Sequence, residues 1–510
     1  MNHSHDRPEE SEVVLQPHDW AHGGHTVART PEGRVVFVRH ADVGETVRVR
    51  LTESDENAKF WRGDVVEVLE ASPDRRDRHP WEPADALRAA ALGRRPVGGA
   101  EFGHLGLERQ REIKTGVLRD LLGGIGKFGP QELDQLAPRV EALPGEDPDG
   151  LGWRTRAHFA VDDDGAVGMH PHRSEDLVPV EGFPLMVPAL ERLELHRVNL
   201  TGVARVDLAA PDGGRTQQPP QLLLTPRSDS ARGTVTSSAH GAEARDALIA
   251  RLERDLLPHL DRVGPGTSVV LGPPEGRAGE HTVVAGQGHV VEHVDHHAWR
   301  VSAGGFWQIH KLAPGHLLEA VLRAAQPREG QFALDLYSGA GLFTAALAEA
   351  VGARGTTTGA VVGVEGSPVT SADAALTFAD DDHVEVVRGG VEQVLARRWP
   401  GTVRSRGRRG SGGRHGRART RTTAGSAVAD GARRPDVVVL DPPRAGAGKA
   451  VVDAIHALSP ERIVYVSCDP ATLARDLARF RHHGWAVESM RAFDLYPNTH
   501  HLESLVTLTR

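Results

Sequence analysis

The stretch QFALDLYSGAGLFTAALAEAV, residues 331–351, reads as an apolar strand, a glycine turn and an apolar helix. Further strands are expected at 359–365, 436–441 and 462–468, with helical segments between them. The near-continuous apolar run DVVVLD at 436–441 is typical of a parallel strand that is buried on both faces. This alternation predicts an α/β fold with a doubly wound, Rossmann-like parallel sheet over residues 301–510.

The turn inside this stretch predicts a cofactor site. Asp335 ends the first strand, Gly339 and Gly341 form the turn, and Glu365 ends the second strand. Glycines at such a turn let the backbone approach a bound nucleotide, and a carboxylate at the second strand can accept from ribose hydroxyls. A dinucleotide fingerprint would place a third glycine where this chain has Thr344. We therefore expect a mononucleoside cofactor such as S-adenosylmethionine rather than NAD.

A second motif, LDPPRAG at 440–446, ends another parallel strand. Two prolines keep the backbone extended after Asp441, which predicts an acid over the cleft where ligands of such sheets bind. Methyltransferases that act on amino groups usually carry an aromatic residue after the prolines. This chain has Arg444 there, which argues for another chemistry.

The third motif, YVSCDPATLARDL at 465–477, carries Cys468, the chain's single cysteine. One cysteine excludes an intramolecular disulfide and a cluster held by several cysteines. Cys468 follows a predicted strand and precedes a predicted helix, so the helix dipole is expected to favour its thiolate. The alternative is a buried, inert cysteine.

The last segment, YPNTHHLESLVTLTR at 496–510, places Glu503 just before a final apolar strand. A carboxylate at such a boundary is often merely solvated, so the residue pattern alone leaves its role open. The 28 histidines of the chain show no spacing typical of a metal site, and we expect none.

Before residue 301 the pattern is different. Residues 1–10 are expected to be a disordered tail, and 11–73 are rich in short alternating strands, which predicts a small antiparallel barrel. Residues 74–300 are interpreted as an α+β central domain with a helix at 106–122 and a hairpin turning at 163–165.

An insertion at 401–434 interrupts the predicted sheet. It contains ten arginines and almost no apolar residues, so we expect a disordered Arg/Gly-rich loop. Such a loop could contact phosphate, or it could be a tolerated surface insertion.

Composition limits the class of protein. With 39% hydrophobic and 25% charged residues over 510 positions, the chain suits a globular protein of several domains. It contains no apolar run long enough for a membrane span, and its first residues are not typical of a secretion signal. A cytoplasmic monomer is expected. The net charge of −9 does not by itself indicate a nucleic-acid partner, although it can hide local basic patches.

Taken together, these motifs resemble the RNA 5-methyluridine methyltransferase family, the uracil-C5 methylases of tRNA and ribosomal RNA. The match runs from FWQIH at 306–310 to the C-terminus, apart from the insertion. The N-terminal strands resemble a TRAM domain, a small RNA-binding barrel. Residues 98–114 resemble a central segment that often carries a CGGC cluster-binding sequence. Val97 and Ala100 stand at its cysteine positions, so no iron–sulfur cluster is expected.

This resemblance implies S-adenosylmethionine as the methyl donor and structured RNA as the partner, with ribosomal RNA favoured over tRNA by the TRAM domain. It implies that Cys468 is the nucleophile and Glu503 the base. The implied cofactor contacts are Gln308, Tyr337, Glu365 and Asp441, beside Gly339 and Gly341 of the turn. Leu342 and Gly389–Gly390 depart from the family pattern, which leaves details of the adenosine pocket open.

Three alternatives remain open at this point. An RNA cytosine-C5 methyltransferase would be expected to carry a second cysteine in its DPP loop, and this chain has only one. An inactive RNA-binding protein with a TRAM domain would be expected to lose some of the Cys468, Asp441 and Glu503 set. An NAD-dependent oxidoreductase is disfavoured by Thr344.

Overall fold

The computed structural model describes residues 11–216, 218–228, 238–352, 359–402 and 433–510. The predicted tail at 1–10 and residues 403–432 of the predicted insertion lie outside the described residues. No helix among the described residues combines the length and apolar character that a membrane span needs.

The N-terminal region is a six-stranded sheet whose inward residues form a small apolar core of their own. Its strands are β1 (Glu12–Leu15), β2 (Asp19–Ala21), β3 (His25–Arg29), β4 (Val35–Arg39), β5 (Thr46–Glu53) and β6 (Trp61–Glu70). Alternate residues of β5 are buried, as period-two patterning predicts. The sheet is mixed rather than antiparallel throughout, because β4 pairs in parallel with β6. The chain passes through β5 between these two strands, and β5 pairs antiparallel with β6.

The central region contains a seven-stranded sheet and a separate two-stranded ribbon. Its elements, in chain order, are α1 (Ala86–Ala91), α2 (Leu107–Gly124), α3 (Pro130–Leu136), β7 (Val140–Glu141), β8 (Arg156–Val161), β9 (Val167–Met169), β10 (Val178–Pro179), α4 (Pro188–Glu191), β11 (Val203–Ala209), β12 (Gln221–Pro226), α5 (Ser238–Arg251), α6 (Leu257–Val263), β13 (Ser268–Leu271), β14 (Thr282–Ala285), β15 (His289–Val294) and β16 (His297–Ser302). Of these, α2, α3 and β7 pack on the C-terminal sheet described next. The expected hairpin at 163–165 is confirmed by the antiparallel pairing of β8 with β9.

The C-terminal region is the predicted doubly wound sheet. Its elements are α7 (Ala313–Ala325), β17 (Phe332–Leu336), α8 (Leu342–Val351), β18 (Ala360–Glu365), α9 (Pro368–Thr377), β19 (Val384–Arg388), α10 (Val391–Arg398), β20 (Val437–Leu440), α11 (Gly448–Leu458), β21 (Arg462–Ser467), α12 (Pro470–His482), β22 (Ala486–Phe493) and β23 (Glu503–Thr509). The strand order is β19-β18-β17-β20-β21-β23-β22-β7. The first five strands are parallel, and β23 enters antiparallel beside β21. The strand direction therefore reverses between the neighbours β21 and β23. Cys468 follows the last residue of β21, and Glu503 is the first residue of β23.

One segment assigned from sequence to the central domain packs on the C-terminal sheet instead. Strand β7 pairs with the outer edge of β22, and Leu118 and Leu122 of α2 belong to the same core as β17 and β20. The buried ammonium of Lys114 donates to Asp494 at 2.6 Å, which fastens α2 to the loop after β22. The C-terminal half of α2 therefore packs on the C-terminal sheet, while Ile113 in its first half packs with Phe102 and Leu105.

Candidate active site

A cavity of about 940 Å³ opens at the carboxyl ends of the parallel strands. Residues from all three regions of the chain line it. Seven of the eight residues predicted from sequence are in its wall: Gln308, Tyr337, Gly339, Glu365, Asp441, Cys468 and Glu503. The fold thus brings together side chains that lie up to 195 positions apart in the sequence, from Gln308 to Glu503.

Strand pairing sets Cys468 opposite Glu503. Ser467, the last residue of β21, pairs with Ser504 in the antiparallel strand β23. The next position along β21 is Cys468 and the preceding position along β23 is Glu503, so the two residues face each other across the strand ends. Opposite residues of antiparallel strands lie about 4.5–5.5 Å apart at their Cα atoms. The thiol and the carboxylate are therefore neighbours at one end of the cavity.

Glu503 is only 3% exposed. The Tyr496 hydroxyl donates to Glu503 Oε2 at 2.9 Å, while Oε1 has no hydrogen-bond partner among the described residues. Burial raises the pKa of Glu503 well above its usual range, and the Asp441 carboxylate adds to this rise. One carboxylate oxygen is therefore held in place and the other is available to a ligand in the cavity.

The Cys468 thiol behaves differently from the sequence-based expectation. Burial raises its pKa to about 12, and the carboxylates of Glu503 and Asp441 contribute to the rise, while Arg444 opposes it. The predicted stabilisation of the thiolate by the following helix is therefore wrong. The helix begins two residues later, at Pro470 after the N-cap Asp469, and burial beside two carboxylates outweighs the influence of its dipole.

The N-terminal sheet contributes to the same site through its β2–β3 turn. Gly23 lines the cavity, and His22 Nε2 lies 3.3 Å from an oxygen of Asp469, next to the cysteine. Gly24 has a φ of +78°, and a Cβ there would lie 3.0 Å from the Cβ of His500. Only glycine fits this close approach without strain. The turn thus contacts the segments that flank both Cys468 and Glu503.

At the opposite end of the cavity, the glycine turn after β17 orders Glu365. The backbone N–H groups of Gly339 and Ser367 donate to its two carboxylate oxygens at 2.9 and 2.5 Å. Tyr337 lies in the left-handed region with a φ of +63°, which turns the chain sharply after the strand. Asp335 is fully buried beneath this turn and accepts from the Thr344 hydroxyl at 2.6 Å, so Thr344 completes the turn.

Gly341 is the one predicted cofactor residue that does not line the cavity. A Cβ there would lie 2.4 Å from the Phe378 ring, and its carbonyl accepts from the indole of Trp299 at 3.2 Å. With a φ of +95° it also begins α8 from the left-handed region. Glycine is needed at 341 for the turn and for packing, and not for an approach to the cavity.

The acidic end of the cavity suits a cationic ligand. Burial raises the pKa of Asp335 to about 7. It also raises the pKa of Asp441, on which Asp335 acts further, while a hydrogen bond from Gln308 opposes the rise. A positive charge bound here would stabilise both carboxylates. These carboxylates are therefore suited to a ligand with a sulfonium group beside ribose hydroxyls, as in S-adenosylmethionine.

Glu101, His500 and His501 are the group at the cavity with a geometry that could hold a metal, with ligand atoms within 4.8 Å of one another. Glu101 already pairs with His500, and Arg444 donates to His501 Nε2 at 3.1 Å. Val97 and Ala100, at the cysteine positions of the cluster-binding sequence, are fully buried apolar residues and offer no metal ligand.

Several residues of the wall were not predicted as functional. Tyr496 holds Glu503, Phe306 is 57% exposed at the cavity, and Arg39, Arg154 and Arg444 supply positive charge. Tyr496 lies in the same motif as Glu503, seven residues before it, so the motif itself could have indicated it. Arg39 and Arg154 have no local signal, because tertiary packing alone brings them to the cavity.

Comparisons with known proteins agree with this architecture. A family model described as tRNA (uracil-5-)-methyltransferase matches residues 432–510, and a TRAM domain model matches residues 10–66. An uncharacterized RNA methyltransferase of Streptomyces avermitilis is 36% identical over 98% of each chain. The 23S rRNA (uracil(1939)-C(5))-methyltransferase of Chromohalobacter salexigens is 31% identical over 96% of this chain and 88% of its own.

The fold is similar to that of a solved enzyme along nearly its full length. The tRNA (uracil-54, C5)-methyltransferase of Pyrococcus abyssi, in complex with S-adenosyl-L-homocysteine, superposes with a TM-score of 0.59 at 16% identity, covering 97% of this chain and 99% of its own. At that identity the likeness concerns the fold alone. The family follows from the full-length relatives and the two matched domains: this chain belongs to the TRAM-containing RNA (uracil-5-)-methyltransferases.

Proposed function

We propose that this protein transfers the methyl group of S-adenosylmethionine to carbon 5 of a uridine in ribosomal RNA, through a covalent bond from Cys468 to carbon 6. The observation that carries the proposal is the strand register that sets Cys468 against Glu503 at the cavity, with Asp441 acting on both side chains. This reaction requires a thiol, a base and an acidic binding site for the methyl donor in one cavity.

The chemistry explains the need for these groups. Uridine carbon 5 is a poor nucleophile until a thiolate adds at carbon 6, which forms the C6–S bond and moves electron density onto carbon 5 and the O4 oxygen. S-adenosylmethionine supplies an electrophilic methyl group, which carbon 5 takes with loss of the thioether. Glu503 then removes the proton from carbon 5, the C5–C6 double bond forms again and Cys468 leaves as thiolate.

The buried carboxyl of Glu503 suits this role. Its pKa is raised, and bases that accept a proton near neutral pH are tuned in this way by burial. Tyr496 holds one oxygen, which leaves Oε1 as the oxygen that takes the proton.

The remaining predicted residues are assigned to the methyl donor. Glu365 is held by two backbone N–H groups in the position of a ribose acceptor, with Gly339 and Tyr337 beside it. Gln308 hydrogen-bonds Asp441 and thereby orients a carboxylate between the donor and the thiol. The target base has to leave its stack to reach Cys468, so we expect an extruded or single-stranded uridine.

Ribosomal RNA is the favoured substrate class because a full-length relative at 31% identity carries the name of a 23S rRNA uracil-C5 methyltransferase. The matching experiment is mass-spectrometric mapping of 5-methyluridine in 23S rRNA and tRNA from cells with and without the gene. Loss of one 5-methyluridine in 23S rRNA is expected. Loss confined to tRNA would overturn the choice of RNA, and unchanged 5-methyluridine in both would overturn the function.

Replacing Glu365 by glutamine is expected to weaken binding of S-adenosylmethionine about 10- to 100-fold, because a charged acceptor of two hydroxyl groups is lost. Isothermal titration calorimetry measures this effect. Glu349→Gln is the matched control, since this glutamate lies 60% exposed on the helix that follows the same turn. Equal affinity of the Glu365 variant and the wild type would contradict the assignment.

The raised pKa of Cys468 predicts a pH dependence. At pH values below a thiol pKa of about 12, the thiolate fraction grows as pH rises, so kcat/KM for RNA is expected to increase about tenfold per pH unit between roughly pH 7 and 9. Steady-state kinetics at constant ionic strength would measure this slope. A flat profile over the same range would contradict the prediction that a thiol of raised pKa has to ionise for the reaction.

A further inference from the structure

The cavity is lined by side chains of both charges. The carboxylates of Glu101, Glu365, Asp441 and Glu503 line it together with Arg39, Arg154 and Arg444, and these three arginines are its positive wall. Since the whole chain carries a net charge of −9, a general excess of basic residues does not account for this wall. One arginine comes from each of the three regions of the chain, so the positive wall exists only in the assembled fold.

Arg154 is the most informative of the three. Its Nε donates to the backbone carbonyl of Arg156 at 2.8 Å, and its guanidinium lies over the rings of Trp153 and Phe183 at 5.7 and 5.8 Å. These contacts fix the plane of the guanidinium. Among the described residues, no carboxylate lies within ion-pair distance of it.

The neighbouring Arg156 provides an internal comparison. It lies two residues further along the chain and pairs with the Glu292 carboxylate at 2.7 Å, which is the ordinary arrangement for a largely buried arginine. Burial lowers the pKa of Arg154 to about 10, and the Glu101 carboxylate opposes this only from beyond ion-pair distance, so the group is still a cation at neutral pH. An oriented guanidinium without an ion-pair partner on a cavity wall is a binding group for an anion.

We infer that Arg154 binds a backbone phosphate of the RNA strand next to the extruded nucleotide, an assignment that rests on the proposed function. The guanidinium fork matches two phosphate oxygens, and the Nη groups are the donors left over after Nε is used. Arg154 acts electrostatically on Tyr496, and the ring of Trp153 beneath it lies 6.1 Å from the Tyr496 ring. Tyr496 in turn holds Glu503, so the phosphate would be bound one side chain away from the catalytic base.

The test replaces Arg154 by methionine, which keeps the apolar stem over the rings and removes the charge. The probe is a fluorescein-labelled stem-loop RNA with one uridine in its loop. We expect the Kd for RNA to rise about 10- to 100-fold, and the slope of log K against log salt to become shallower by about 0.7 to 0.9. The Kd for S-adenosylmethionine is expected to stay unchanged, because Arg154 contacts Trp153, Phe183 and the Arg156 backbone rather than the residues assigned to the cofactor.

Arg254→Met is the control for the loss of one positive charge, since this exposed arginine pairs with Asp255 on the surface and does not line the cavity. It is expected to leave the Kd and the salt slope unchanged. Arg154→Lys should recover part of the affinity, because a point charge replaces the fork. An unchanged Kd and salt slope in Arg154→Met, with the wild type binding normally, would overturn the phosphate site and leave the proposed function intact.

A neutral methylphosphonate at the phosphate on either side of the uridine identifies the ligand. One of the two substitutions should weaken wild-type binding and have little further effect on Arg154→Met, as expected for two groups that contact each other. Additive losses at both positions would overturn the assignment. A wild-type protein that binds neither RNA nor S-adenosylmethionine would instead overturn the proposed function, and the phosphate site with it.

Discussion

Replacing Cys468 by alanine is expected to reduce methyl transfer to RNA by at least about 10⁴-fold, with binding of S-adenosylmethionine and RNA largely retained. Without the thiol, no group remains to add at carbon 6, and carbon 5 stays unreactive. The measurement is incorporation of labelled methyl from S-adenosylmethionine into an unmodified 23S rRNA transcript. Because Cys468 is the chain's one cysteine, the loss of alkylation by iodoacetamide in the same variant verifies that no other thiol could substitute.

Ser467→Ala is the matched control for this experiment. Ser467 precedes the cysteine on β21, and its hydroxyl donates to the Asp469 carbonyl at 3.1 Å, so the substitution perturbs the same loop without removing the thiol. It is expected to keep most of the activity. Methyl transfer at the wild-type rate by Cys468→Ala, in protein with an unchanged Tm, would remove the covalent mechanism.

Replacing Glu503 by glutamine is expected to lower turnover by about 10²- to 10⁴-fold and to trap protein covalently bound to methylated RNA. The glutamine cannot take the proton from carbon 5, so the double bond cannot form again and the C6–S bond persists. A slow-migrating band on a denaturing gel, dependent on S-adenosylmethionine and labelled by its methyl group, measures the trapped species. The double variant with Cys468→Ala should give no band.

Two further variants separate the base from its surroundings. Tyr496→Phe removes the hydroxyl that holds Oε2, and we expect a smaller loss of turnover with no trapped band, because the carboxylate is still present. Glu488→Gln changes a glutamate on the adjacent strand β22 that pairs with Arg462 at the surface, and should behave as wild type. Turnover of Glu503→Gln at the wild-type rate would assign proton removal to another group.

Local patterns were sufficient to predict much of the molecule. The alternation around 331–351 predicted the doubly wound sheet, since parallel strands buried on both faces must be apolar throughout. The period-two strands before residue 73 predicted the N-terminal sheet, although its mixed pairing of β4 with β6 has no local signature. The motifs around Asp441 and Cys468 predicted a shared cavity because each stands at the end of a parallel strand, whereas the expected role of Glu503 came from the family resemblance.

What the sequence by itself determined is therefore the set of elements and the chemical groups at their ends. The tertiary structure decided the rest. It packed α2 and β7 against the C-terminal sheet, it gave Gly341 a packing role, and it left Arg154 without an ion-pair partner on the cavity wall. It also raised the pKa of Cys468, where the sequence had predicted a favoured thiolate. The physical reason is that periodicity and turn chemistry act over a few residues, whereas burial and charge depend on groups that only the folded chain brings together.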